Sequence, residues 1–327
     1  VLCLFGRESR FMRLKSRLRE LRNTANAICL LLLVVGNPFS VAAKADASNP
    51  IQTVLKCKVS SEHAEKFGAL PVQSGSGRMM PVNTFTSEIL RKLHREDKFG
   101  ALSPDQFLIS LLAMPEVWMR VPLIVFSNAE LAHCYGLTQG ACAYIEVFDG
   151  DGNYKLQAKL AEAYGREPAS RTRFDKDLIK LDEQINLFSR LVRCQGLNLF
   201  PREGDPDLKW YAPGDDLSVF SGKDSMFVSR IMDWYLSEVQ EALESGDWTK
   251  ADEIVGMIQT YQQAKGGGVD ISPQRIQTEL KYNRLQIFCC CRIGYLALGG
   301  LLLLFSFFML FRQNLWLKVA AGILGAG

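Results

Sequence analysis

Residues 294–311 read GYLALGGLLLLFSFFMLF, eighteen positions without a charged side chain. At about 1.5 Å of rise per residue, a helix of that length comes close to the thickness of a hydrocarbon core. A second apolar run, 315–327, follows and is broken only by Lys318. The expectation is the front part of a polytopic membrane protein, or a truncated gene product. Residues 292–327 then form one transmembrane helix and the start of a second.

The other end fixes the compartment. Arg7, Arg10, Arg13, Lys15, Arg17, Arg19 and Arg22 precede the apolar stretch AICLLLLVVG at 27–36, and small residues follow around Ala43 and Ala45. A basic region, a short apolar core and a small-x-small site make a secretory signal peptide over residues 1–45. Cleavage is expected after Ala43 or Ala45, an uncleaved signal anchor being the alternative, and Met12 fits a translation start. Arg312 and Lys318 beyond the late helix suit a cytoplasmic side. The two ends agree in placing residues 46–291 outside the cytoplasm.

Composition narrows the field further. The net charge of +3 owes much to the signal region, so the exported part has no basic bias of the kind that nucleic acid requires. About 245 exported residues suffice for one large or two small globular domains with a real core. Of nine cysteines, Cys57, Cys134, Cys142 and Cys194 fall in that part, with no C-x-x-C and no metal-ligand spacing. Cys134 and Cys142 either form a disulfide in an oxidising compartment or stand as separate thiols.

The exported part reads as mainly α with a few short strands. Residues 54–66 begin extended and turn helical after Ser60, with Ser61 as cap. Leu70–Gln73, the turn Ser74–Gly77 and Arg78–Val82 make a hairpin. Asn83 or Thr84 caps a helix to about His94, with Phe85, Ile89, Leu90 and Leu93 on one face. Ser103-Pro104-Asp105 opens a helix running to Met114. Val121–Phe126 and Ala143–Phe148 are strand candidates, and residues 128–136 a short helix. Residues 154–164 and 168–192 follow as amphipathic helices, and Leu199–Pro213 as a loop. Residues 225–243 and 248–264 form a helical hairpin, and Gly266–Gly268 a hinge. From Ser272-Pro273 a long helix runs into the membrane span.

Chemical motifs are sparse. Asp149-Gly150-Asp151-Gly152-Asn153 opens like a calcium loop, but Tyr154 stands where the glycine and Leu160 where the glutamate are needed, so it is a turn. Ser74–Arg78 lacks the Lys-Ser/Thr step of a phosphate loop. No nucleophile–base pair, catalytic residue or metal site is assigned. His63, His94 and His133 are the candidate heme-iron ligands, since an imidazole nitrogen ligates iron; an ordinary lone surface histidine is the competing reading of each. Trp210-Tyr211-Ala212-Pro213 and Trp248 read as packing, and Cys289-Cys290-Cys291 as apolar filler at the membrane edge.

One block is more specific: His63-Ala64-Glu65-Lys66-Phe67-Gly68-Ala69-Leu70-Pro71-Val72-Gln73, then Gly77-Arg78 with Pro81-Val82-Asn83-Thr84, then Glu88-Ile89-Leu90-Arg91-Lys92-Leu93. It resembles the extracytoplasmic region and first membrane helix of the fused CcsA/ResB-type (system II) cytochrome c biogenesis proteins of Bacteroidetes. Leu102–Gln106, Pro115–Trp118, Phe174–Leu178, Lys209–Pro213 and the membrane entry Glu279–Asn283 continue the likeness, which covers most of residues 54–311.

The resemblance implies a cytochrome c synthase, a heme lyase that exports heme as cargo and attaches it to the thiols of a C-x-x-C-H apocytochrome c. That chemistry belongs to a tryptophan-rich segment with flanking histidines, and residues 1–327 do not include it. The expected role of this portion is an extracytoplasmic scaffold or docking domain. Its partners would be apocytochrome c, ResB-type and CcsA-type membrane domains and the membrane, with no nucleic acid. The implied location is the bacterial inner membrane, with the bulk of the chain periplasmic. The rival expectation is a membrane-tethered periplasmic binding or sensor ectodomain.

Overall fold

A computed structural model describes residues 50–267, 272–285 and 287–311. The expected signal segment, part of the Gly266–Gly268 hinge and the second apolar run lie outside these described residues. The described part is mainly helical with three two-stranded antiparallel ladders, in agreement with the fold class read from the sequence.

The core is organised around a helix that is apolar almost all round. Helices α1 (Pro50–Lys56), α2 (Ser61–Gly68) and α3 (Val82–His94) precede α4 (Pro104–Ala113), whose residues Asp105 to Ala113 are all buried. A helix with no solvated face must be enclosed by other elements. Here α2, α3, the short α5 (Pro115–Trp118) and the later helices α8 (Arg173–Val192) and α9 (Gly222–Ser245) surround it. Ser103 starts α4 with a reciprocal capping box: its hydroxyl accepts from Gln106 N at 3.2 Å, and the Gln106 side chain accepts from Ser103 N at 3.0 Å. Trp118 is fully buried against Phe107, and its indole donates to Ser110 Oγ at 2.8 Å.

The first hairpin pairs β1 (Pro71–Gln73) with β2 (Met79–Pro81) in the register Val72↔Met80. Gly77 closes its turn at φ 85°, a region open to glycine and costly for a β-branched residue. Further on, β3 (Ile124–Val125) and β4 (Ala141–Cys142) flank α6 (Ala129–Tyr135), and α7 (Gln157–Gly165) leads into α8. Asp149 folds residues 149–153 into a turn by accepting from the backbone of Asp151 and Asn153. Helices α9 and α10 (Thr249–Lys265) form the expected hairpin, with Gly246 in the left-handed conformation between them. Next come α11 (Pro273–Leu285) and α12 (Ile287–Phe311). The run Pro273–Phe308 is long and apolar enough to cross a membrane, and its most apolar window, of mean hydropathy 2.0, has no buried share.

Several expectations are corrected. Residues around Val54 are helical, because Pro50 opens α1 and Val54 anchors it fully buried in the core. Ser60, not Ser61, precedes α2; the Ser61 hydroxyl instead accepts from Gln106 Nε2 at 3.3 Å. Pro81 is the N-cap residue of α3, so Asn83 and Thr84 lie inside its first turn. The expected strand at Ala143–Phe148 is a 3-10 turn, Tyr144–Val147. Glu146 closes it by accepting from Ala143 N at 2.8 Å, and the strand lies just before it in β4. The Leu199–Pro213 loop contains a ladder of β5 (Phe200–Pro201) with β6 (Trp210–Tyr211). Cys134 and Cys142 are free thiols: Cys142 pairs with Ile124 inside the core, whereas Cys134 is exposed on α6. Burial, with a lesser push from Glu146, raises the Cys142 thiol to about 12.

Candidate functional site

The resemblance block folds onto itself and onto α11, the helix that precedes the candidate membrane span. Its glutamine, Gln73, fixes the long loop: Nε2 donates to Leu208 O at 2.9 Å and Oε1 accepts from Trp210 N at 2.8 Å. Gln262 on α10 does the same from the other side, donating to Pro71 O at 3.0 Å and Leu199 O at 2.9 Å. The hairpin is thereby held rigidly where it meets α11.

A polar seam forms there. Glu279 and Asn283 stand four residues apart on α11, hence on one helical face. Glu279 accepts from Arg78 at 2.8 Å and from Thr84 Oγ1 at 2.9 Å. Asn283 Nδ2 donates to Thr84 Oγ1 at 2.8 Å and to Asn83 Oδ1 at 3.2 Å. Asn83 turns its own amide inward and donates to Asp105 Oδ2 at 2.7 Å. Arg284 pairs with Glu65 at 3.1 Å on the exposed rim. These exposed ion pairs add little by themselves; the part-buried hydrogen bonds set the geometry.

Asp105 is the buried end of the seam. Its residue is 5% exposed, Oδ1 has no hydrogen-bond partner among the described residues, and Gly68 packs so closely that a Cβ there would overlap the carboxyl. Burial pushes the Asp105 carboxyl up to about 7; the Asn83 bond opposes the rise and the Glu65 charge adds to it.

The candidate histidines are placed apart, on three helices. His63 is 1% exposed on α2, its ring against Trp248 and Tyr235. Burial keeps its imidazole below the usual histidine range despite the Asp252 bond. A neutral ring then donates from Nδ1 to Asp252 Oδ1 at 2.7 Å and accepts at Nε2 from the Tyr235 hydroxyl at 2.9 Å. Lys66 holds the other Asp252 oxygen at 2.7 Å. His94 ends α3 with Nδ1 at 3.2 Å from Leu123 O and its ring against Phe99. His133 lies exposed on α6. Among the described residues, no group of three or more His, Cys, Asp or Glu is placed to hold a metal ion. An open cleft at α9 and α10 is lined by Phe227, Met257, Thr260 and Tyr261.

Sequence reasoning did not single out Asp105, Glu279 or Asn283 as functional. The available signal was the spacing of Glu279 and Asn283, two polar side chains on one face just before an apolar run.

The arrangement defines a class: a mainly helical domain seated by a hydrogen-bonded seam on α11, the helix that precedes the apolar α12. No protein-family model matches the chain. It is similar to protein NrfI of Wolinella succinogenes, 32% identical over 307 residues. That alignment takes in 93% of this chain and 33% of NrfI, so the chain spans about a third of the length of the curated relative it matches.

Proposed function

We propose that this chain serves cytochrome c maturation, as the extracytoplasmic scaffold or docking domain of a system II assembly protein that delivers heme and attaches it to apocytochrome c. The similarity to protein NrfI over 93% of the chain supports a role in cytochrome c maturation. On this reading residues 1–45 are the export signal, 46–291 the extracytoplasmic domain and 292–327 the beginning of the membrane part. Heme is cargo, and the membrane domains and the apocytochrome are partners. The observation that carries the scaffold role is the seam: Arg78, Asn83 and Thr84 of the resemblance block all meet Glu279 or Asn283 on the membrane-leading helix. Such a seam would fix the height and orientation of a docking surface above the membrane, which attachment of heme to a protein partner needs.

The test is covalent heme attachment to a C-x-x-C-H apocytochrome in a host stripped of its own assembly system, with the chain in its natural full-length protein. The double variant Glu279→Ala, Asn283→Ala should lower heme-stained product at least several-fold at unchanged membrane abundance. Undiminished product would refute the scaffold role, and absence of product with the unaltered protein would refute the maturation role.

A further inference from the structure

The seam contains a feature that static docking does not require. Its innermost member is a carboxyl group buried in the domain, linked to the membrane-leading helix through one amide: Asp105 Oδ2 accepts from Asn83 Nδ2, and Asn83 Oδ1 accepts from Asn283 Nδ2. The second carboxyl oxygen, Oδ1, is orphaned, a costly condition for a buried anion. Gly68 lets α2 close over the group. A simple structural contact at this position would be met by asparagine, which offers the same acceptor without the charge.

We infer that Asp105 is a proton-operated latch: protonated, it holds α3 and the membrane-leading α11 together through Asn83; ionised, it favours an opened seam in which water reaches Oδ1.

The surrounding charges fit this role. From α2 the facing charge is Glu65, an anion that disfavours a second one, itself paired to Arg284 of α11. From α3 the facing group is Asn83, which is neutral. On α11, Glu279 is held by Arg78 and Thr84, and Asn283 is neutral. Among the described residues, no cation is paired with the Asp105 carboxyl in the closed seam. Its position in the first turn of α4 favours the anion, but burial outweighs it and carries the group up to about 7.

The sign follows from linkage. The closed state keeps its proton up to about pH 7, whereas an opened, hydrated carboxyl loses it near the ordinary value of 3.8. Between those limits the open form binds fewer protons, so opening becomes easier as pH rises. The change is complete above about pH 7.

Hydrogen exchange of the full chain in nanodiscs tests this, at pH 5 and pH 7.5 with times scaled to intrinsic amide rates. Peptides 83–94 and 273–285 should lose protection about tenfold or more at the higher pH, corrected for intrinsic exchange, while 173–192 stays level. Asp105→Asn should keep both seam peptides protected at both pH values. Asn83→Ala, which cuts the hydrogen-bonded link from Asp105 to α11, should blunt the pH response of peptide 273–285. Wild-type seam peptides with pH-independent protection would overturn the latch, and so would an undiminished pH response in Asp105→Asn or Asn83→Ala.

Discussion

Asn283 on α11 donates a 2.8 Å hydrogen bond to Thr84 at the start of α3, across 199 positions of sequence. The same amide reaches Asn83 at 3.2 Å. Each such bond contributes a net ~0.5–1.5 kcal/mol. Asn283→Ala should therefore weaken the docking of α11 on the domain by about 1–3 kcal/mol. Protease sensitivity of residues 272–285 in the membrane-inserted chain reads this directly. Unchanged cleavage would mean that the seam is held by other contacts.

The hairpin turn provides a sharper local test. Gly77 sits at φ 85° with open space around it, so only backbone conformation constrains it. Gly77→Val should lower stability by at least ~1–2 kcal/mol, the scale of placing an L side chain in the left-handed region. Thermal unfolding followed by circular dichroism would show it. Gly77→Ala should cost less than valine, and equal costs would point to a packing effect in place of a torsional one.

What was legible in the chain follows from the range of the forces involved. Long periodic segments such as 225–243 carry their own amphipathic signature, and the turn at Gly77 is a local torsional demand; both are visible without tertiary context. Asn83 and Thr84 mislead because their capping preference is local, whereas their partners Asp105, Glu279 and Asn283 are distant in sequence. Residues 143–148 mislead because an apolar run does not reveal that Glu146 bends back onto Ala143 N. The two-residue strands β3 to β6 are too short for any alternation to register. The candidate histidines were visible as residues, but the Asp252, Tyr235 and Trp248 environment of His63 depends on α9 and α10 folding back over α2.

That environment has a pH consequence. Burial keeps the His63 imidazole below the ordinary histidine value of 6.5, against the pull of Asp252. The unfolded chain then binds a proton that the folded chain refuses, so this group's contribution is fully present above about pH 6.5 and is lost as pH falls through the folded value. Asp105 acts in the opposite direction over its own window, so the two must be separated. In an Asp105→Asn background, the fall in melting temperature from pH 7.5 to pH 5 should be larger with His63 than with His63→Gln. Equal falls would show that the ring is protonated without cost.

Heme binding is the next expectation. Both His63 nitrogens are occupied, by Asp252 and Tyr235, and His94 Nδ1 faces Leu123 O. The chain in nanodiscs should produce no stoichiometric Soret shift with hemin beyond that of empty nanodiscs. A shift abolished by His133→Ala or His94→Ala would make that histidine a heme ligand and replace the scaffold reading with a heme-carrying one.

Topology carries the widest consequence, because the scaffold role needs the domain outside the cytoplasm. Arg7 to Arg22 supply seven basic residues before the first apolar stretch, and Arg312 and Lys318 follow the late one. On the proposed topology the basic N-terminal flank stays on the cytoplasmic side and the domain lies across the membrane from it. Alkaline phosphatase folds to activity only after export, so fusion after residue 250 should be active and fusion just after Phe311 inactive. Activity must be normalised to fusion abundance, since fusion at 250 interrupts α10 and lowers the amount of protein without altering its side of the membrane. The reverse pattern would place the domain with the cytoplasmic pool, away from any exported apocytochrome, and would sink the proposed function together with the orientation.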